Sequence, residues 1–211
     1  MRRSIAPHGL DVNAIWCPPW GRGRAGRVKP GQAHRLHKDL HRRIEHASVV
    51  APQDAKRFGS LGIVAAVQAI SCLSDGQWLI ERLGKARARE RAFAFQRLRG
   101  AGAVLANGSD TPVEDVYPLP GFYASVTCAL QDGTVFWPEQ RMSRGQALRA
   151  YTLDCARAAF QEHIVGSITP GKLADVAVLS ADIMSIPAEE ILGAEVTSTI
   201  LGGRIVHQTE K

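Results

Sequence analysis

The chain has 211 residues, 45% of them hydrophobic and 22% charged, with a formal net charge of +6. This is the composition of a globular protein with enough apolar material for a sizeable core, and not that of a disordered chain. No apolar run reaches the ~18–20 residues of a membrane span, and Arg2 and Arg3 are not followed by the apolar stretch of a secretory signal. Cys17, Cys72, Cys128 and Cys155 form no CxxC pair, which argues against a metal cluster or a disulfide framework. The expected compartment is the cytoplasm, with no membrane partner.

The charge is unevenly placed. Residues 1–43 hold ten Lys/Arg against Asp11 and Asp39, a net of +8, whereas residues 44–211 have a net of −2. The basic balance therefore belongs to a leading segment, residues 1–41, rich in Gly, Pro and Arg and then in His and Arg. Pro18, Pro19 and the neighbouring glycines fit neither a helical nor a strand period, and a poorly ordered leader is expected. A nucleic-acid arm or a metal tract is the alternative. It is disfavoured because no aromatic residues are interleaved with the later charges.

From residue 43 a strand–helix alternation sets in. Residues 44–50 read as a short strand, and 52–61 as a helix with Pro52 in its first turn and Gly62 at its end. Residues 63–68 have buried-strand composition. A loop is expected around Ser71, Ser74, Asp75 and Gly76, followed by a single helix over 87–99 that buries Ala88, Ala92, Phe95 and Leu98. Residues 103–106 form a third short strand, running into Asn107, Gly108, Ser109 and Asp110. Such alternation implies parallel strands. Residues 143–160 read as one long amphipathic helix with Ser143 as N-cap. Residues 172–180 and 196–207 are β-rich, the second broken at Gly202-Gly203 by a hairpin turn.

Polar residues gather where the three apolar strands end: Glu45 and His46, Gln68 and Ser71, Ser109 and Asp110. In α/β barrels and open α/β sheets that is where chemistry sits. His46 offers an imidazole to a divalent metal. Asp110 offers a second ligand, or a base for a water whose pKa a metal lowers towards ~7. The alternatives stay open on spacing alone: a core histidine for His46, and a helix cap or Asx turn before Pro112 for Asp110.

The segments Arg43-Ile44-Glu45-His46-Ala47, Val67-Gln68, Gly108-Ser109-Asp110-Thr111-Pro112-Val113, Gly166-Ser167-Ile168-Thr169-Pro170-Gly171-Lys172-Leu173-Ala174-Asp175 and Thr199-Ile200-Leu201-Gly202-Gly203-Arg204 fall in one order. That series resembles amidohydrolase family 3 of the metal-dependent hydrolases, in its C-terminal portion, over about residues 42–208. The resemblance implies an α/β fold: the last strands and helices of a (β/α)8 TIM barrel over 42–165, and part of a small β-sandwich over 166–211. It implies hydrolysis of non-peptide C–N bonds in a small amide-type substrate by a metal-activated water. His46 and Asp110 would be metal ligands, Asp110 also the catalytic base and then acid, and the metal a divalent ion, zinc by family default.

The chain departs from the family in containing no His-x-His pair and no counterpart of its bridging lysine. After Gln68 it reads Ala69-Ile70-Ser71 where the family has Pro-x-His, and Asn13 stands where a histidine is usual. Catalytic zinc normally takes three protein ligands. The third would have to come from a residue such as His8, His34, His37 or His41. A complete TIM barrel takes ~250 residues, so the pattern predicts a truncated member with a frame-shifted leader. Three readings follow: a hydrolase; an inactive remnant or a subunit completed by another chain or by oligomerisation; and, least favoured, a nucleic-acid-binding module.

Overall fold

The computed structural model describes residues 42–209. Three short strands, β1 (Arg43–His46), β2 (Val64–Val67) and β3 (Val104–Asn107), form a parallel sheet in the order β1-β2-β3. All four β2 residues, Val-Ala-Ala-Val, are buried, as expected of a central strand covered on both faces. The register aligns Ile44 with Ala65 and Leu105, and His46 with Val67 and Asn107. The three strand ends that carry polar residues are thereby brought to one edge.

Helix α1 (Pro52–Leu61) links β1 to β2 as its sequence predicts: Pro52 lies in the first turn and Gly62, at φ 64°, closes the helix in the left-handed region. Gly59 is required by close approach, since a Cβ there would sit 1.8 Å from the Ala101 carbonyl oxygen. Phe58 and Ala55 are fully buried against the sheet.

The connection from β2 to β3 differs from expectation. Residues 71–83, read as beginning with a loop, form helix α2 (Ser71–Leu83). Ser, Asp and Gly suggest a turn, but Cys72, Gly76 and Leu79 fall on one buried helical face, and packing overrides local propensity. The single helix expected over 87–99 is two, α3 (Lys85–Arg91) and α4 (Phe95–Gly100). The break has a tertiary cause: Val50 N–H donates to the Arg91 carbonyl (3.0 Å) and Phe93 N–H to the Ser48 carbonyl (2.8 Å), so this stretch pairs with the segment after β1. Phe93, at φ 45°, then packs edge-on against Phe136 at 5.7 Å.

Helix α5 (Pro118–Thr127) forms in spite of Pro118, Pro120 and Gly121; the prolines sit in its first turn, where a missing N–H is harmless. Ser143 does cap the next helix, in a reciprocal capping box with Gln146. That helix bends at Thr152 (φ −122°, ψ −91°) into α6 (Arg144–Tyr151) and α7 (Leu153–Ala158), not the single rod expected over 143–160. The bend lets Cys155 and Ala158 pack with Val64, Val104 and Ala106 of the parallel sheet. It also places the buried Asp154 3.0 Å from the Arg149 guanidinium.

A separate antiparallel sheet follows: β4 (Val176–Leu179), β5 (Val196–Leu201) and β6 (Arg204–Gln208) in the order β4-β5-β6. Gly202 and Gly203, at φ 56° and 79°, make the β5–β6 hairpin turn, as the sequence predicts. A parallel sheet of barrel type beside a small antiparallel sheet is the α/β architecture expected: part of a TIM barrel with part of a sandwich. Among the described residues no helix is long and apolar enough to cross a membrane. The leader at 1–41, with His8, His34, His37 and His41, lies outside the described residues.

Candidate active site

His46 ends β1 and Asp110 lies three residues beyond β3, so β2 separates the strands that carry them. Their side chains nevertheless meet over the end of β2, with His46 Nε2 3.7 Å from Asp110 Oδ2. Both residues are left-handed, His46 at φ 67° and Asp110 at φ 63°, and Ala47 beside His46 has φ 42°. Non-glycine residues are uncommon in this region, and such conformations cluster at functional sites. The His46 side chain is 37% exposed and that of Asp110 38%. His46 is therefore no core histidine. Asp110 caps no helix, since the next one begins at Pro118.

The loop carrying Asp110 is tied down on both sides. Gly108 N–H donates to the Val67 carbonyl at 3.0 Å, and Val113 N–H to the Asp110 carbonyl at 2.8 Å. Thr111 Oγ1 donates to the Glu114 carbonyl at 3.0 Å, and Ser74 Oγ of α2 to the Glu114 carboxylate at 2.6 Å. Asn107 was not singled out from sequence, yet it is the central clamp. Its buried Oδ1 accepts from Ala69 N–H at 3.0 Å, and its Nδ2 donates to Ser125 Oγ at 2.9 Å, which donates on to the Gly121 carbonyl at 2.8 Å. One carboxamide thus joins the ends of β2 and β3 to α5. An asparagine inside a strand that is otherwise apolar was the available signal.

The other polar residues at the strand ends part company. Glu45 pairs with Arg43 along its own strand, and Ser71 opens α2. Gln68 stays at the end of β2, between the strands of His46 and Asp110. A cavity of about 1050 Å³ lies elsewhere, among α5, α6, α7, β4 and β5, and contains neither His46 nor Asp110. Within it, burial, and to a lesser extent the Asp154 charge, raise the Cys155 thiol above the ordinary range, against an opposing contribution from the Asn107 backbone.

Two zinc ligands at about 2.0–2.1 Å in a tetrahedral array stand roughly 3.3 Å apart. The separation of 3.7 Å therefore fits an imidazole and a carboxylate as adjacent ligands of one divalent ion. Among the described residues no group of three His, Cys, Asp or Glu side chains could hold a metal. The pair could supply two positions, and among the described residues no third protein ligand joins it.

A parallel sheet with an imidazole and a carboxylate at its C-terminal edge is the plan of the amidohydrolases. The amidohydrolase family pattern matches residues 27–207, and the chain belongs to that family. The match corrects the narrower extent read from sequence, a C-terminal portion over 42–208: it begins at residue 27 and takes in nearly the whole chain. The Gly-, Arg- and His-rich stretch before residue 42 lacks the apolar period by which relationship is most readily seen.

The chain is 40% identical over 168 residues to Protein LONG AFTER FAR-RED 3 of Arabidopsis thaliana, a match covering 79% of this chain and 29% of that protein. It is 25% identical over 161 residues to an N-substituted formamide deformylase of Arthrobacter pascens, covering 76% and 30%. An uncharacterized metal-dependent hydrolase of Pyrococcus horikoshii superimposes with a TM-score of 0.64 at 27% identity, over 72% of this chain and 31% of that one. The chain thus spans about a third of the length of the curated relatives it matches.

Proposed function

We propose that the chain carries part of the active site of a cytoplasmic hydrolase that cleaves non-peptide C–N bonds in small amides, with His46 and Asp110 as its working residues. The observation that carries this reading is the 3.7 Å approach of the two side chains across an intervening strand. The similarity to an N-substituted formamide deformylase supports the bond type. His46 Nε2 and Asp110 Oδ2 would hold one divalent cation, zinc by the family's default. When bound it would polarise the amide carbonyl and acidify water. Asp110 takes a proton from the attacking water and delivers it to the departing nitrogen. The loop bonds from Gly108 to Glu114 keep that carboxylate in place. We assign residues 42–165 to the barrel unit and 166–211 to the sandwich unit.

Titration of the metal-free, full-length chain with Zn²⁺ tests the reading. One zinc per chain is expected, lost in His46→Ala and Asp110→Ala, with formanilide hydrolysis dependent on it. Asp110→Asn should lower the rate by about 10²–10⁴. Zinc binding that both variants leave unchanged, or hydrolysis untouched by Asp110→Asn, would overturn it.

A second reading has its own support. Among the described residues the outer edges of β1 and β3 are unpaired, and two metal donors stand where three are usual. On this reading the chain is inactive alone and works with a complementing chain or another copy that covers the open edges. Activity appearing only on association, with an increase in mass, distinguishes it. Nucleic acid is the least favoured partner.

A further inference from the structure

The last turn of α4 and the bend between α6 and α7 bring three arginines to one carboxylate. Asp154, in the first turn of α7, is 3% exposed. Its Oδ1 lies 3.0 Å from Arg149 Nε, and its Oδ2 3.9 Å from Arg99 Nη1. Arg157, three residues further along α7, acts on the same carboxylate by its charge. Burial pushes the Asp154 carboxyl above its ordinary range, and the charges of Arg149, Arg99 and Arg157 oppose that. One ion pair would suffice to neutralise this carboxylate, so the cluster carries two positive charges in excess. It also carries an unmet donor. The Arg99 side chain is only 22% exposed, yet 3.9 Å is too long for a hydrogen bond to Asp154, and its buried Nε has no partner among the described residues. A largely buried guanidinium without acceptors is costly. The cluster is nevertheless open to solvent, since Arg149 and Arg157 are both exposed.

We propose that Arg99, Arg149 and Arg157 form a binding site for a phosphate group, carried as free phosphate or as a phosphate monoester. Guanidinium forks match phosphate oxygens and hold them by charge-assisted hydrogen bonds. A phosphate dianion together with Asp154 balances the three guanidinium charges and gives Arg99 the acceptor it lacks. Asp154 orients Arg149 and Arg99 from the buried side. The site is separate from the His46–Asp110 pair: Arg99 precedes β3 by five residues, whereas Asp110 follows that strand by three. The inference therefore stands independently of the amide-hydrolase reading.

The test is calorimetric and ³¹P NMR titration of the full-length chain with inorganic phosphate and with phenyl phosphate, at about pH 8, where both probes are dianions. Ionic strength is held constant, because salt screens exposed charges. Saturable binding with a Kd of about 1 mM or tighter is expected. Preference for inorganic phosphate marks the free ion as the ligand, and preference for phenyl phosphate marks a monoester; either supports the site. Arg99→Gln and Arg149→Gln should each weaken binding about ten- to a hundred-fold. Asp154→Asn keeps the side chain's shape and removes the competing anion, so it should tighten binding, by about tenfold; a cluster that serves only to hold the helix bend predicts the reverse. Binding of neither probe overturns the proposal. So does binding that both arginine variants leave unchanged, which would belong to the basic residues before 42, or weaker binding in folded Asp154→Asn.

Discussion

The two sheets of this chain are held in opposite ways. In the parallel sheet β2 is buried at all four positions, whereas in the antiparallel sheet β6 is exposed at all five. The parallel strands are short, and their order comes from helices packed across them and from side-chain clamps at their ends. The antiparallel strands are ordered by their own hairpin and by bonds such as Gly202 N–H to Asp175 Oδ1 at 2.7 Å. Conformational precision at the His46–Asp110 pair therefore depends on a core that lies under it, and scarcely on the hairpin sheet.

The sharpest way to break that contrast is to delete buried volume on each side. Phe58→Ala empties a fully buried position between α1 and the parallel sheet, and should cost about 3–5 kcal/mol by urea unfolding. Val206→Ala, on a β6 residue 59% exposed, should stay within about 0.5 kcal/mol. Comparable losses would show that the hairpin sheet carries stability its exposure does not suggest. A smaller effect tests the clamp: Asn107→Ala strands the Ala69 N–H and removes the partner of Ser125, at about 1–3 kcal/mol, and should also loosen the Asp110 loop in hydrogen exchange. The smallest belongs to the cap of α6, where Ser143→Ala should cost about 1 kcal/mol, read as a shift in urea midpoint with an unchanged slope.

The candidate site was legible in part. His46 and Asp110 stand at the ends of short apolar runs, and a parallel arrangement brings such ends to one edge. The approach of the two side chains over β2 was not legible, because it depends on left-handed backbone at both residues, which neither His nor Asp announces. Asn107 was hidden for a different reason. Its role lies in partners at Ala69 and Ser125, far from it in sequence, that only the folded chain brings together. Gln68 does stand at that edge, but the lack of a partner for its side-chain oxygen among the described residues is a property of burial.

Helix ends show the same division. Pro52 with Gly62, Ser143 with Gln146, and Gly202-Gly203 act within a few residues, and each appears in the fold where its sequence puts it. The breaks at Phe93 and Thr152, and the continuity of α2 through Ser74, Asp75 and Gly76, went against local preference. In each case burial of distant apolar groups outweighed propensities worth less than about 1 kcal/mol per residue. By itself the sequence determined the strand–helix alternation, the local caps and turns, and the family pattern. The tertiary structure alone decided where helices bend and which polar groups meet, because those outcomes follow from contacts between segments that local preferences are too weak to set.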